Sequence, residues 1–152
     1  MFYILRGLLA WSIWIIFADK KRWREIVPVC ILAALLGVIT DILIEFYPYW
    51  EYIEDDLHPL YLELGDEFEI FPVVVYFFIQ WLPKQPSLLN MLFYWFLWTG
   101  FAISIEYIHI ATGHMEHLND WTLWHSYVCD WILFYIFYKF HKVFRLERLS
   151  RD

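Results

Sequence analysis

The chain has 152 residues, of which 61% are hydrophobic and 23% aromatic, with a formal charge of −7. Soluble domains run at about 45–50% apolar, so an excess of this size points to lipid rather than water as the surrounding solvent. The negative balance does not describe one acidic surface, because the charges are segregated by segment; no basic face is offered to nucleic acid, and no nucleic-acid partner is expected.

The first apolar stretch, Met1–Ala18, carries only Arg6, and Lys20, Lys21, Arg22 and Arg24 follow it. A secretory signal has its positive charge ahead of the apolar run. The reversed order here reads as a retained helix over Phe2–Ala18, with Arg6 able to snorkel to the interface. Four further segments follow at Ile26–Tyr47, Phe68–Leu82, Leu88–Ile110 and Trp121–Phe140. A spanning helix needs about 17–25 residues, which the second, fourth and fifth satisfy comfortably. The third is short and has Pro72 in its first turn, where a missing N–H costs little. Pro83 and Pro86 bracket a turn that cannot continue a helix, and Ser87 is placed to cap the next one. The fold class expected is all-α, a polytopic transmembrane bundle of five spans forming a single domain. Four spans plus an interfacial first helix is the rival arrangement.

Charge sets the orientation. Asp19–Glu25 and the tail Lys139–Arg151 are basic, whereas Pro48–Glu69 is acidic with no Lys or Arg. The positive-inside rule places the first two on the cytoplasmic side, which puts the N-terminus outside and the C-terminus inside. Trp23 and Trp81 mark the inner interface, and Tyr47, Tyr49, Trp50 and Trp121 the outer one. Cys30 and Cys129 fall toward opposite faces, a poor geometry for a disulfide. No internal repeat is visible, which counts against a conventional secondary transporter.

Ionisable side chains inside apolar spans are costly and mark function by default. They are Asp41 and Glu45 in the second segment, Glu106 and His109 in the fourth, and His125 and Asp130 in the fifth. On the orientation above, all six lie toward the outer half. Asp41 and Glu45 share a helix face at i,i+4, as do Glu106 and His109 at i,i+3. The latter spacing is the ExxH ligand pair of di-iron bundles, of which this chain has one copy where two are needed. With His114 and His117 in the following loop, Glu106 and His109 form the candidate set for a divalent transition metal. The plainer account of Glu45, His114, Glu116 and His117 is interfacial pairing near helix ends. The Glu54-Asp55-Asp56 run lacks the grammar of a calcium loop and reads as solvated acidity. His58 and His141 carry no special signal, and no nucleophile-elbow, zincin, P-loop or dinucleotide motif occurs.

The order of several motifs resembles a family of small multi-pass membrane proteins of endospore-forming Firmicutes. The resemblance rests on Trp23-Arg24-Glu25-Ile26-Val27-Pro28, on Gly37 followed by Asp41, on Tyr47-Pro48-Tyr49-Trp50-Glu51 and on Phe71-Pro72. It is strongest over Glu106-Tyr107-Ile108, Gly113 and Asn119-Asp120-Trp121-Thr122-Leu123-Trp124-His125-Ser126. It implies a bacterial cytoplasmic membrane location and no assigned activity. The family pattern has Trp at the position of His125, and it favours Glu106, Asp41 and the Asn119–Trp121 turn.

Three classes of function follow from these residues. The first is a binding or sensing module in which Asp41, Glu45, Glu106, His125 and Asp130 line an outward-facing pocket for a cation, a proton or a small polar ligand. The second is a metal-dependent enzyme built on Glu106, His109, His114 and His117. The third is a bundle, alone or with a membrane-protein partner or a second copy, whose polar residues only join helices.

Overall fold

A computed structural model describes residues 2–53, 64–84 and 87–150. The described residues are mostly helical, with one short two-stranded sheet. Helix α1 (Phe2–Phe17) is followed by a 3₁₀ turn (Lys20–Arg22), α2 (Trp23–Phe46) and strand β1 (Trp50–Tyr52). A π-helical turn (Asp66–Ile70) runs into α3 (Phe71–Gln80), then come α4 (Leu88–Ala111), strand β2 (Met115–His117), α5 (Leu123–Val143) and a 3₁₀ turn (Leu146–Ser150). Each expected helix is present with its ends shifted by a few residues. Pro72 sits at the start of α3, and the Ser87 hydroxyl accepts the Asn90 N–H at 3.2 Å to cap α4. The Glu54–Asp56 run, His58 and Pro86 lie outside the described residues.

By contacts the chain forms two compact units. One comprises α1, most of α2, the π-turn with α3, and the end of α5 with the last turn. Its core includes Ile26 and Val29 of α2 and Phe78 and Ile79 of α3, all fully buried. The α1–α2 turn is tied to the end of α3 by polar bonds. Gln80 Oε1 accepts the Asp19 N–H at 2.7 Å, Gln80 Nε2 donates to the Phe17 carbonyl, and Tyr76 Oη donates to the Asp19 carbonyl at 2.9 Å. Arg22 Nη1 donates to the Gln80 carbonyl at 2.7 Å, a cation at a helix C-terminus.

The third helical stretch begins earlier than hydropathy alone indicates. Glu67, read from sequence as part of a solvated acidic loop, is buried in the π-turn, where its Cγ faces Gly37 of α2. A β-carbon at Gly37 would lie 2.8 Å from Glu67 Cγ and 3.0 Å from the Phe71 ring. Gly37→Ala is therefore expected to destabilise the protein by about 1–3 kcal/mol, the range for overpacking a filled site. Thermal unfolding in detergent measures this, and an unchanged midpoint would show that α2 and the π-turn part freely.

The second unit comprises the last residues of α2, β1, α4, β2 and most of α5. Trp95 of α4 packs edge-on against Trp131 and Tyr135 of α5, with ring centroids 5.9 and 5.8 Å apart. β1 and β2 pair antiparallel, with Trp50 opposite His117, Glu51 opposite Glu116 and Tyr52 opposite Met115.

Two stretches, Lys20–Phe46 and Leu88–Ala111, are long and apolar enough to cross a membrane. Only 28% and 11% of their most apolar windows are buried, whereas the core helix of a soluble protein is mostly covered. Leu88, Leu89, Phe46 and Ile16 are among many large apolar side chains left exposed. Water tolerates contiguous apolar patches of only a few hundred Å², and a bilayer sets no such limit.

Candidate functional site

The polar site of the second unit is assembled by the reversal of the chain after α4. Gly113, with φ of +74°, turns the backbone where only glycine is unstrained, and its N–H closes on the Ile110 carbonyl at 3.1 Å. The chain then returns as β2 beside β1. The ladder is extended by the Leu118 N–H on the Tyr49 carbonyl at 2.7 Å and the Ile53 N–H on the His114 carbonyl at 2.8 Å. Asn119 and Asp120 adopt left-handed φ of 49° and 60°, a region these two residue types tolerate, and Asn119 Nδ2 donates to the Pro48 carbonyl at 2.6 Å. The strand alternation buries Met115, exposes Glu116 and turns His117 back toward α4.

His117 Nε2 lies 2.7 Å from Glu106 Oε1. The same oxygen accepts the Ser126 hydroxyl at 2.7 Å, and Ser126 Oγ accepts the Trp121 indole N–H at 2.9 Å. A relay therefore runs from Trp121 through Ser126 to Glu106, with His117 on the other side. Both Glu106 and His117 are largely buried, at 16% and 15% side-chain exposure. Because a carboxylate only accepts, Nε2 of neutral His117 carries the proton and Nδ1 keeps its lone pair. Nδ1 has no hydrogen-bond partner among the described residues. Trp121, bonded to Ser126, packs at a tilt against Tyr49, Trp50 and His125, with ring centroids 4.9, 5.4 and 5.2 Å apart.

The other candidates divide. Asp130, four residues after Ser126 on α5, is half-buried and within electrostatic reach of Glu106. Glu45 is exposed, and Asp41 is half-buried and belongs to the first unit, whereas Glu106 belongs to the second. His125 is exposed and serves as a cap. Its Nδ1 accepts the Thr122 N–H at 3.1 Å and lies 2.9 Å from the Thr122 hydroxyl, the position a Glu takes in a capping box. Of the four residues grouped for a metal, only Glu106 and His117 meet. His109 is buried with Nδ1 on the Ile105 carbonyl of its own helix at 2.7 Å, and His114 Nδ1 lies 2.9 Å from Thr112 Oγ1. Among the described residues no three His, Cys, Asp or Glu side chains gather around a common point. Both cysteines are free.

The first unit holds a second polar cluster that sequence reasoning does not pick out. Glu25 and His141 are 2% and 1% exposed, with His141 Nε2 at 2.8 Å from Glu25 Oε1. Arg22 grips the same carboxylate as a fork, Nε to Oε2 at 2.9 Å and Nη2 to Oε1 at 2.7 Å. Burial holds the His141 imidazole below its ordinary pKa, partly offset by Glu25. A signal for this pair does exist: each residue borders an apolar segment on the side the charge rule makes cytoplasmic.

No family model matches the chain, and neither the curated proteins nor the solved structures contain a significant match.

Proposed function

We propose that the chain is a multi-pass protein of a bacterial cytoplasmic membrane. It has five spans and an external N-terminus, and its Glu106–His117 pair binds a proton, a cation or a small polar ligand. The observation that carries this reading is the 2.7 Å contact that fixes His117 Nε2 on Glu106 and leaves Nδ1 as a basic nitrogen. A carboxylate behind an imidazole sets its tautomer and the orientation of the ring, which is how histidines are prepared to hold a metal or a proton. The exposed apolar surfaces of α2 and α4 support the bilayer setting, and the charge asymmetry of the loops supports the orientation. On that orientation the pair faces the outer water layer, at the level of Trp50 and Trp121.

The test uses His117→Gln, because the amide nitrogen of Gln can keep the bond to Glu106 while the basic Nδ1 is removed. Full-length protein in detergent is heated at a series of pH values and with Na⁺, Mg²⁺, Zn²⁺ or ethanolamine. A ligand present at about 100 times its Kd adds roughly 2.7 kcal/mol to the folded state. For a protein of this size that is a midpoint rise of roughly 5–10 °C. The rise is expected in the parent protein and not in His117→Gln. If no pH step and no probe separates the two proteins, the site is only a hydrogen-bonded joint between α4, β2 and α5.

A further inference from the structure

The geometry points to a binding groove for one anionic phospholipid in the first unit, with an acyl chain lying along α2 and the phosphate on the basic α1–α2 turn. This rests on the membrane reading above.

A cavity of about 540 Å³ runs between α1, α2 and the helical stretch containing α3. That volume is within the range of roughly 300–1,000 Å³ typical of small-molecule sites. Its α2 wall is Val27, Cys30, Ile31, Ala34, Leu35 and Val38, an unbroken stripe at helical spacing. From Val27 to Val38 the stripe is about 16 Å long at 1.5 Å per residue. One leaflet of hydrocarbon is half of a core about 30 Å thick, so the groove has the reach of a single acyl chain. Trp11 and Trp14 of α1 form the facing wall. The polar atoms of the floor are already satisfied, Cys30 Sγ on the Pro72 carbonyl at 3.2 Å and Tyr76 Oη on the Asp19 carbonyl. The cleft is therefore lined almost wholly by apolar atoms. Ile31 and Leu35 are 63% and 54% exposed, so its side is open to surrounding lipid.

The headgroup end is equally specific. Trp14 and Tyr76, which line the groove, also touch the turn that follows α1, with Lys20 Nζ 5.8 Å from the Trp14 ring centroid. Lys20, Lys21 and Arg24 are exposed there, while Arg22 is held by Glu25. Lys20 at the wall of an apolar groove one leaflet long, with Lys21 and Arg24 exposed within four residues of it, matches a phosphodiester joined to a fatty chain. A neutral zwitterionic lipid satisfies the groove but not the mouth.

Protein is incorporated into nanodiscs of equimolar phosphatidylglycerol and phosphatidylcholine, released into detergent, and the retained lipid is read by native mass spectrometry. The parent protein is expected to keep one phospholipid, mostly phosphatidylglycerol. Ala34→Trp, which fills the middle of the groove, should lose that lipid. Lys20→Gln with Lys21→Gln keeps every apolar side chain of the groove and should lower the phosphatidylglycerol preference roughly thirtyfold, at about 1 kcal/mol for each of the two cations. Retention unchanged in Ala34→Trp, preference unchanged in the double variant, or a parent protein that carries no lipid each overturns the inference. Extraction of membranes at alkaline pH separates the two readings. A protein released by alkali defeats the membrane assignment itself, whereas one that resists release yet keeps no lipid defeats only the groove.

Discussion

Glu25→Leu is expected to destabilise the protein by about 3–5 kcal/mol, the cost of removing one partner from a buried ion pair. The carboxylate receives three short bonds, two from the Arg22 fork and one from His141 Nε2. Arg22 retains 29% exposure and can recover some hydration, but the His141 ring is enclosed and cannot. Much of the loss is thus the penalty of stranding donors rather than the worth of the pair, and that distinction is measurable. Adding His141→Phe to Glu25→Leu removes the stranded imidazole and should recover part of the deficit, because apolar replacements of buried polar pairs are often close to neutral. Unfolding midpoints of the two variants decide it, and a Glu25→Leu protein as stable as the parent would show the cluster to be incidental.

The same cluster gives stability a defined pH dependence. His141 has a folded pKa below the ordinary value of 6.5, with burial as the leading cause. The folded state therefore binds this proton less readily than the unfolded chain. Its contribution is fully present above about pH 6.5 and is lost as pH falls through the lower folded value. Nδ1 lies 4.0 Å from Glu147 Oε2, so a protonated ring has a second carboxylate at its edge, which limits the loss. The parent midpoint should fall between pH 7 and 5, and the slope should flatten in His141→Phe.

The helices were legible because apolar runs of this length, bounded by charge and proline, have few other interpretations, and the local punctuation at Pro72 and Ser87 acts within one turn of chain. The site was legible only in part. Glu106 stood out as a carboxylate inside an apolar span, but its partner could not be chosen by spacing. His109 is nearer in sequence and on the same face, yet His117 reaches the carboxylate because Gly113 reverses the chain and three residues of β2 pair with β1. Strands that short have no periodicity to read. The role of His125 was obscured because histidine rarely stands where Glu or Gln completes a capping box. Glu67 was hidden by its acidic neighbours, which resemble a loop until Gly37 is seen to make room for it. Glu25 and His141 are separated by 116 positions, and only the folded chain brings them together.

Glu106→Ala and Glu106→Gln should separate the structural from the chemical role of the second unit's site. Alanine removes the acceptor for both His117 and Ser126 and leaves the Trp121–Ser126 bond without its anchor. Unsatisfied buried donors cost about 1–3 kcal/mol each, less what the partly open site returns through water, so a loss of roughly 2–3 kcal/mol is expected. Glutamine keeps a carbonyl at the same place and should lose about 1 kcal/mol or less, since one neutral hydrogen bond replaces a charge-assisted one. Stability alone would class this variant as benign. The imidazole reports otherwise: with the carboxylate in place, nitrogen-15 spectra of histidine-labelled protein should show His117 in the Nε2–H form. In the Glu106→Gln protein the preference for that tautomer should weaken, and the pH- and ligand-dependent rise in midpoint should disappear. A His117 tautomer that ignores both substitutions would mean that Glu106 does not orient the ring, and the functional reading of the pair would fail with it. If the tautomer shifts while the midpoint barely moves, the carboxylate is held there to prepare an imidazole rather than to fasten two helices.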